Sequence, residues 1–251
     1  MVIKFLTDYP ALFIPEEKIL VIADLHIGVE HELYESGIVI PPQAEKFSKI
    51  IGKLVKATKA ETLVILGDVK HLVPGISYRE MKEIPKLFSF LIEKVKVIVC
   101  LGNHDTYLKE LIPNEVKIYS SRGFRIGRYG FFHGHAWPSK ELMECDWLFI
   151  AHIHPVIEFV DNFGYRNIEQ VWIRGRLDEE VVKKKYKIKK CGKLNTIIFP
   201  TFNKLLGGLA LNSVFNKEYI GPLLENAIDV DKCKLYLLDG TFLGSIKQMR
   251  K

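Results

Sequence analysis

Residues 18–26, KILVIADLH, form the stretch that decides the fold of this chain. Its apolar part lacks the alternation of a half-exposed strand and is typical of a β-strand buried on both faces of a sheet. An apolar segment at residues 11–14 (ALFI) and a turn signal at residues 15–17 (PEE) precede it, so the region reads as strand, turn, strand. The buried run ends at a carboxylate and an imidazole, those of Asp24 and His26.

The same arrangement occurs twice more along the chain. Residues 62–66 (TLVIL) lead to Asp68, and residues 96–101 (KVIVCL) lead to Asn103. Helices are expected between these strands, because apolar residues recur there at the spacing of one helical face. The two faces consist of Phe47, Ile50, Ile51, Leu54 and Val55, and of Ile84, Leu87, Phe88, Leu91, Ile92 and Val95. Pro85 is expected in the first turn of the second helix, where a missing N–H is tolerated.

The polar residues that follow these strands are expected to meet at one edge of a sheet. In α/β proteins ligands bind outside the carboxyl ends of the strands, because side chains from separate strands converge there. The alternation of strands and helices therefore predicts one shared site that contains Asp24, Asp68 and Asn103.

The pattern changes to β in the following segments. Residues 124–135 (FRIGRYGFFHGH) predict a hairpin that turns at a Gly-Arg pair and ends at His133. Residues 146–150 (DWLFI) predict a strand that leads to His152 and His154.

The remaining tail is expected to be mostly β. Strands are predicted at residues 170–174, 195–199 and 233–238, and the basic stretch 183–190 (KKKYKIKK) is expected to be a loop or an edge-strand arm. The chain has no internal repeat and no disordered linker, so one domain with two sheets is the simplest organisation.

The strand ends supply a set of residues suited to metal binding: Asp24, His26, Asp68, Asn103, His133, His152 and His154. Each one alone is more often structural than a ligand, but together they are too many for one ion and fit two. Imidazole and carboxylate without thiolate suit a divalent ion, with Mn as the first choice and Fe, Zn, Co or Ni as alternatives. Side chains at i and i+2 of an extended segment point the same way, so Asp24 and His26 are expected to reach one centre. Asp68 stands alone after the central strand and is the expected bridge.

Two bridged ions indicate hydrolysis of a phosphate ester. Such a pair lowers the pKa of a shared water until it is hydroxide near neutral pH, and it clamps phosphate oxygens during in-line displacement. The leaving oxygen then needs a proton or a hydrogen bond, which His104 beside Asn103 is positioned to give. Asp105 is expected to hold the His104 imidazole through its other nitrogen.

These residues occur in motifs that resemble those of the calcineurin-like metallophosphoesterase superfamily. In chain order the motifs are DLH at 24–26, GDVKH at 67–71, GNHD at 102–105, HGH at 133–135 and AHIHP at 151–155. The resemblance implies an α/β fold, a four-layer α/β/β/α sandwich of two mixed β-sheets. The pattern along the chain predicts one domain over residues 1–251, with a β-rich extension from about residue 159 that completes the second sheet or caps the site. The resemblance also implies two overlapping ligand sets: Asp24, His26, Asp68 and His154, and Asp68, Asn103, His133 and His152.

A narrower resemblance points to the ICC-like branch, which includes the DNA-ligase-associated phosphoesterases. It depends on the motifs at residues 24–28 and 67–71 and on the tail sequence FPTFNKLLGG at residues 199–208. Two positions depart from common motifs: Ala151 stands where glycine usually opens the last motif, and His71 where many relatives carry an acid. The branch implies phosphodiester substrates, possible action on DNA or RNA, and a link to DNA- or RNA-processing proteins.

Other residues are candidates for substrate contact. His71 could face the phosphate or make a structural hydrogen bond, and His135 could share the side of His133. Basic residues of the tail are candidates for contact with a phosphate backbone, although such runs are more often solvated surface: Arg174, Arg176, Lys183, Lys184 and Lys185. Trp137 is expected at the rim of the site and Trp147 in the interior.

The composition is that of an ordinary globular protein, with 48% hydrophobic and 26% charged residues. No apolar run approaches the ~20 residues of a membrane span. The first residues lack the features of a signal peptide, so a cytoplasmic location is expected. Four scattered cysteines are expected to be free thiols. A net charge of +6 fits an anionic partner without selecting one.

Three functions stay open from the sequence. The motifs favour a phosphodiesterase or nuclease that acts on nucleic acid or nucleotides. A phosphomonoesterase or phosphoprotein phosphatase would use the same ions and hydroxide, so the motifs do not separate it from the first. A catalytically weak interaction scaffold is disfavoured, because all ligand positions and His104 are present.

Overall fold

The computed structural model describes residues 3–213 and 221–250. Its strands, numbered along the chain, are β1 (Lys4–Phe5), β2 (Ala11–Ile14), β3 (Ile19–Ile22), β4 (Thr62–Ile65), β5 (Lys96–Cys100), β6 (Lys117–Tyr119), β7 (Phe124–Ile126), β8 (Tyr129–Phe131), β9 (Trp147–Ile150), β10 (Pro155–Val160), β11 (Arg166–Arg176), β12 (Asn195–Ile198), β13 (Leu209–Ala210), β14 (Lys234–Leu237) and β15 (Phe242–Ser245). Its helices are α1 (Val29–Glu35), α2 (Ala44–Thr58), α3 (Tyr78–Ile92), α4 (Glu179–Tyr186), α5 (Pro222–Ala227) and α6 (Ile246–Met249).

The first sheet has the order β1-β2-β3-β4-β5-β6, with β3 to β6 parallel. Alternate residues of β3 enter two different cores. Ile19 and Val21 pack between the two sheets, whereas Leu20 and Ile22 pack beneath α2 and α3. Because both faces of the strand are buried, its sequence is continuously apolar, as the predicted strand requires.

The second sheet has the order β13-β10-β11-β12-β9-β8-β7 within the described residues, and β14 and β15 extend it from β11. Trp172 of β11 stacks edge-on against Phe5 of β1, so this face of the sheet looks toward the first sheet. The next residue, Ile173, points to the opposite face and shares a small apolar cavity with Leu224 of α5. The layers are therefore helix, sheet, sheet and helix, which confirms the predicted four-layer α/β/β/α sandwich of two mixed sheets.

The strand direction within the second sheet decides which residues lie near which edge. β8, β9 and β12 run parallel, while β11 runs antiparallel to β12. The carboxyl ends of β8, β9 and β12 therefore lie at one edge of this sheet, and the carboxyl end of β11 lies at the other. The segment after about residue 159 supplies β11 and β12 to the middle of the sheet.

The prediction of a loop or edge-strand arm at residues 183–190 is wrong for residues 183–186. Residues 183–186 belong to α4. Asp178 is the N-cap of this helix, and its side chain accepts hydrogen bonds from the backbone N–H groups of Glu180 and Val181. Acidic residues occupy the first turn and lysines the last, an order that the helix dipole favours. The tail is consequently less β-rich than expected.

The position of Pro85 also differs from the prediction. The helix starts earlier, at a capping box in which Ser77 and Glu80 satisfy each other's backbone N–H groups, and Pro85 therefore lies inside α3. All four cysteines are free, as predicted. No helix among the described residues is long and apolar enough to cross a membrane.

Candidate metal centre

The carboxyl ends of strands from both sheets meet at a cluster of carboxylates and imidazoles. Asp24 follows β3, Asp68 follows β4 and Asn103 follows β5, while His133 follows β8 and His152 follows β9. Most of these side chains are buried, with exposed fractions of 0% for Asp24, 2% for Asp68 and 0% for His133. The structure thus brings the predicted ligand residues together at one edge of the sandwich.

Two groups within this cluster have ligand atoms that all lie within 4.8 Å of one another: Asp24, His26 and His154, and Asp68, His133 and His152. Asp68 lies between them, since its Oδ2 is 3.5 Å from His26 Nε2 and 3.3 Å from His133 Nε2. Asn103 joins the second group through its Oδ1, 3.1 Å from His133 Nε2. Asp68 therefore lies within reach of both groups, and the ligand sets stay a prediction.

Unsatisfied polar atoms indicate that the residues fit bound cations. Asp24 Oδ1, His26 Nε2 and His154 Nε2 are buried and have no hydrogen-bond partner among the described residues. Burying such atoms without a partner is costly, and a divalent ion would supply the missing one. His133 Nδ1 donates to the Leu66 carbonyl at 2.8 Å, which orients the ring so that its Nε2 faces Asp68.

The electrostatics of the cluster also fit a cation. Burial alone would raise the pKa of Asp68, but the adjacent His133 holds it well below its usual range. Burial alone would lower the pKa of His133, but the Asp68 carboxylate raises it to about 10. Burial and the nearby His133 together lower the pKa of His152 to about 3. Histidine binds metals in its deprotonated form, so a bound ion would replace the proton that the Asp68 carboxylate favours on His133.

The backbone conformation of the ligands differs from the extended segment that the sequence predicted. Five ligand residues have left-handed backbone conformations, with φ of 54° for Asp24, 41° for His26, 46° for Asp68, 78° for His152 and 43° for His154. The side chains of Asp24 and His26 therefore converge through a tight turn rather than through strand periodicity. Asp and His tolerate this conformation better than most residues, which fits their presence at these positions.

Two glycines make the close approach possible. A Cβ on Gly67, which has φ of +78°, would lie 2.5 Å from His133 Nδ1, and a Cβ on Gly102 would lie 2.1 Å from Asp68 Oδ1. Both separations are far below contact distance, so the Gly-Asp and Gly-Asn motifs are required by packing as well as by turn geometry.

His104 and Asp105 follow Asn103 but have separate roles. The backbone N–H of His104 donates to Asp68 Oδ1 at 2.9 Å, and its Nδ1 lies 2.5 Å from the His71 carbonyl oxygen. The prediction that Asp105 orients the His104 ring is wrong. The buried Asp105 carboxylate instead accepts backbone N–H groups of Val69 and Gly102, each at 2.8 Å, and so ties the loop after β4 to the loop after β5.

The candidate substrate histidines lie close to the cluster. The His71 ring is 5.3 Å from that of His26, and its Nε2 is 2.6 Å from a Glu32 carboxylate oxygen. The His135 ring is 5.2 Å from the His133 ring, and burial lowers the pKa of His135 to about 4.

The candidate arginines do not lie at this edge, which corrects the sequence prediction. Arg176 pairs with Asn195, which in turn pairs with Trp147 at the start of β9, whereas His152 follows the opposite end of β9. β11 runs antiparallel to β12, so the end of β11 lies beside the start of β12. Arg174, two residues before Arg176, therefore lies at the same remote edge. Trp147 is also partly exposed there rather than interior as predicted.

The candidate lysines lie on α4. Lys183 pairs with the acidic first turn of its own helix, at 3.0 Å from Glu180. Lys184 and Lys185 are exposed. The Nζ of Lys185 lies 4.3 Å from the ring centroid of Trp137, two residues beyond His135.

Thr201 and Asn203 are positioning residues that the sequence reading did not identify. The Thr201 hydroxyl donates to the Asp24 carbonyl at 2.9 Å, and the Asn203 side-chain amide donates to the Leu25 carbonyl at 2.9 Å. Both side chains are buried and follow β12, so they connect the second sheet to the ligand turn of the first. The tail sequence PTFN at residues 200–203 contains both residues, but their roles depend on the order of the strands, which the sequence does not show.

We expect Gly102→Ala to weaken metal binding by roughly 10–100-fold, because the added methyl displaces the Asp68 carboxylate. Gly207→Ala is the matched control, since a Cβ there has no atom within 4 Å. Titration of both variants with Mn²⁺ by calorimetry measures the effect. Wild-type affinity in the Gly102→Ala protein would show that Asp68 does not contribute to the metal site.

Comparisons with known proteins bear on the fold and the family of the chain. No curated protein matches the chain. Among solved structures, nuclease MPE of Pseudomonas putida has a similar fold, with a TM-score of 0.56 and 16% identity over 94% of this chain and 90% of that one. The phosphoesterase YfcE of E. coli aligns with a TM-score of 0.43 and 17% identity over 90% of this chain and 96% of that one. The model of the calcineurin-like phosphoesterase family matches residues 17–224, a range that contains every candidate ligand. The chain belongs to the calcineurin-like phosphoesterase family.

Proposed function

We propose that this hydrolase of phosphate esters is a phosphodiesterase that acts on nucleic acid or nucleotides with two divalent ions, Mn²⁺ being the first choice. The observation that carries the proposal is a cavity of about 300 Å³ beside His104. Its lining residues are Gly28, His31, Glu32, Glu35, His71, Leu72, Val73, Ser77 and His104.

The charges of this cavity favour a diester over a monoester. It contains two carboxylates, those of Glu32 and Glu35, and no lysine or arginine among its described lining residues. A phosphodiester carries one negative charge, while a monoester near neutral pH carries nearly two. A wall without cations repels the monoester more strongly, and its volume provides room for the second ester group of a diester.

The metal ions would be held by the two ligand sets that share Asp68. When bound, they supply Lewis acidity that activates water and neutralises charge on the phosphate. One set would consist of Asp24, His26, Asp68 and His154. The other would consist of Asp68, Asn103, His133 and His152. Thr201 and Asp105 hold the turns that carry these ligands.

His104 is the proposed proton donor to the leaving oxygen. Its Nδ1 lies 2.5 Å from the His71 carbonyl oxygen, an acceptor that fixes a proton on this nitrogen. Its Nε2 is therefore the atom available to the substrate. The ring stands 4.7 Å from that of His26 and lines the cavity, which supports a position beside the leaving group.

A cationic surface next to the site supports a nucleic-acid substrate. Lys184 and Lys185 are exposed at the end of α4, and the Tyr186 hydroxyl donates to the Pro138 carbonyl at 2.8 Å. This contact fixes the end of the helix on the loop that follows His133. Lysines at such a position would bind the backbone phosphates of a nucleic acid while another part of the same nucleic-acid strand enters the site. Association with DNA- or RNA-processing proteins and a cytoplasmic location stay predictions.

The substrate preference can be measured with two chromogenic esters in Mn²⁺. We expect a higher kcat/KM for bis-p-nitrophenyl phosphate than for p-nitrophenyl phosphate, because the cavity beside His104 lacks cations. A strong preference for the monoester would overturn the diesterase assignment and favour a phosphomonoesterase. Failure to hydrolyse either ester with both ions bound would favour an interaction scaffold.

His104→Ala is expected to lower kcat for the diester by roughly 10²–10⁴-fold, because the leaving oxygen loses its proton donor. Mn²⁺ stoichiometry should stay at the wild-type value, which calorimetry or elemental analysis measures. His31→Ala is the control, since His31 lines the same cavity and pairs only with Glu35, at 3.5 Å, among the described residues. Loss of metal in the His104 variant would contradict its role as a donor outside the ligand sets.

The α4 surface is tested by the double variant Lys184→Ala/Lys185→Ala. We expect a higher KM for a single-stranded oligonucleotide and a less steep dependence of KM on salt, because fewer counterions are released on binding. Lys53→Ala, a change of an exposed lysine on α2, is the matched control. An unchanged KM and salt dependence would exclude this surface from substrate binding.

A further inference from the structure

A second cavity lies at the edge of the sandwich opposite the candidate metal centre. It has a volume of about 440 Å³ and is lined by Trp147, Arg174, Gly175, Arg176, Asn195, Thr196, Asp229, Lys232, Cys233, Lys234 and Tyr236. Trp147 begins β9, whereas the ligand His152 follows the last residue of that strand. The two sites are therefore separated by the length of β9, and a ligand in one does not contact the other.

The basic residues of this cavity are only partly neutralised. Arg176 pairs with Glu179 at 2.5 Å, and Lys232 pairs with Asp229 at 2.7 Å. Arg174 and Lys234 form no ion pair with any residue in the ranges 3–213 and 221–250. Two positive charges in the cavity consequently lack a counter-charge from the protein.

These two cations are also direct neighbours across the sheet. Arg174 of β11 and Lys234 of β14 are register partners, so their side chains project from the same face. Like charges directly opposite each other destabilise a sheet unless an anion lies between them or nearby. The arrangement is thus unfavourable in the isolated protein and becomes favourable when an anion binds.

Aromatic rings hold the Arg174 guanidinium in place. Its central carbon lies 5.6 Å from the ring centroid of Tyr236 and 6.0 Å from those of Phe5 and Trp147. Cation–π contacts on several sides orient the guanidinium before any ligand arrives, which lowers the entropy cost of binding. Trp147 and Tyr236 also give the cavity an apolar wall.

We propose that this cavity binds the phosphate group of a small phosphorylated molecule of nucleotide size. A phosphate monoester carries nearly two negative charges, which match the two unneutralised cations, and guanidinium binds phosphate oxygens in a fork-like geometry. A volume of about 440 Å³ exceeds the needs of inorganic phosphate and lies within the range of small-molecule sites. The apolar wall formed by Trp147 and Tyr236 would contact the remainder of the ligand.

The binding test uses the full chain with its metal centre disabled by Asp68→Asn, so that phosphate bound at the metals does not contribute. Calorimetry with inorganic phosphate, adenosine 5′-monophosphate and adenosine gives the affinities. We expect phosphate to bind, the monophosphate to bind more tightly than phosphate, and adenosine to bind more weakly than the monophosphate. Adding Lys234→Met should weaken monophosphate binding by roughly tenfold or more.

The control and the folding check use the same background. Lys53→Met removes an exposed lysine from α2 and should leave the affinity unchanged. Lys234→Met should melt at the wild-type temperature or above it without ligand, because a like-charge contact is removed, and phosphate should raise its melting temperature less than that of the parent. Arg174→Met is a second variant with the same expected loss of affinity.

Three outcomes would overturn the proposal. The first is no binding of phosphate or monophosphate to the Asp68→Asn protein. The second is equal affinity in the Lys234→Met and Arg174→Met variants, which would place the bound anion elsewhere. The third is monophosphate affinity no greater than that of phosphate, which would exclude an occupant of nucleotide size. None of these outcomes bears on hydrolysis at the metal centre.

Discussion

Burial of the Asp68 carboxylate is the constraint on which the rest of the structure depends. A carboxylate that is 2% exposed is stable only with compensating charge and hydrogen bonds. The fold supplies these from both sheets: the His104 N–H from the loop after β5, and the His133 imidazole from the second sheet. The Asp68 carboxylate also faces both His26 and His133, so it would contribute to both candidate ligand sets. The packing of the two sheets and the chemistry of the site therefore have one common centre.

The fold and the convergence of the candidate ligand residues could be predicted from the sequence because they follow from short-range patterns. A strand buried on both faces must be continuously apolar, as residues 19–22 are, and parallel strands must bring Asp24 and Asp68 to one edge. The conformation of the ligand turns could not be predicted this way. Strand periodicity predicts that the side chains of Asp24 and His26 converge. In the structure a left-handed backbone brings them together, and the apolar pattern does not show that conformation.

Strand direction explains where the structure places Thr201 and the two candidate arginines. Thr201 follows β12, which runs parallel to β9, so it reaches the ligand turn after β3. Arg174 and Arg176 stand near the end of β11, which runs antiparallel to β12, so they reach the opposite edge. Distance along the chain does not distinguish these cases, because the tail crosses the sandwich several times. A basic cluster in a sequence therefore cannot be assigned to a site before the direction of its strand is known.

The polarity of the two edges follows from the same topology. One edge contains carboxylates, imidazoles and residues with a left-handed backbone. Each left-handed residue other than glycine costs about 1–3 kcal/mol. The other collects Arg174 and Lys234, a pair of unneutralised like charges. Both arrangements are unfavourable in the chain alone and complementary in sign: the first is stabilised by cations and the second by an anion. Two separated arrangements of this kind are more simply explained by ligands of opposite charge than by packing, because apolar side chains of similar volume would fill either position at lower cost.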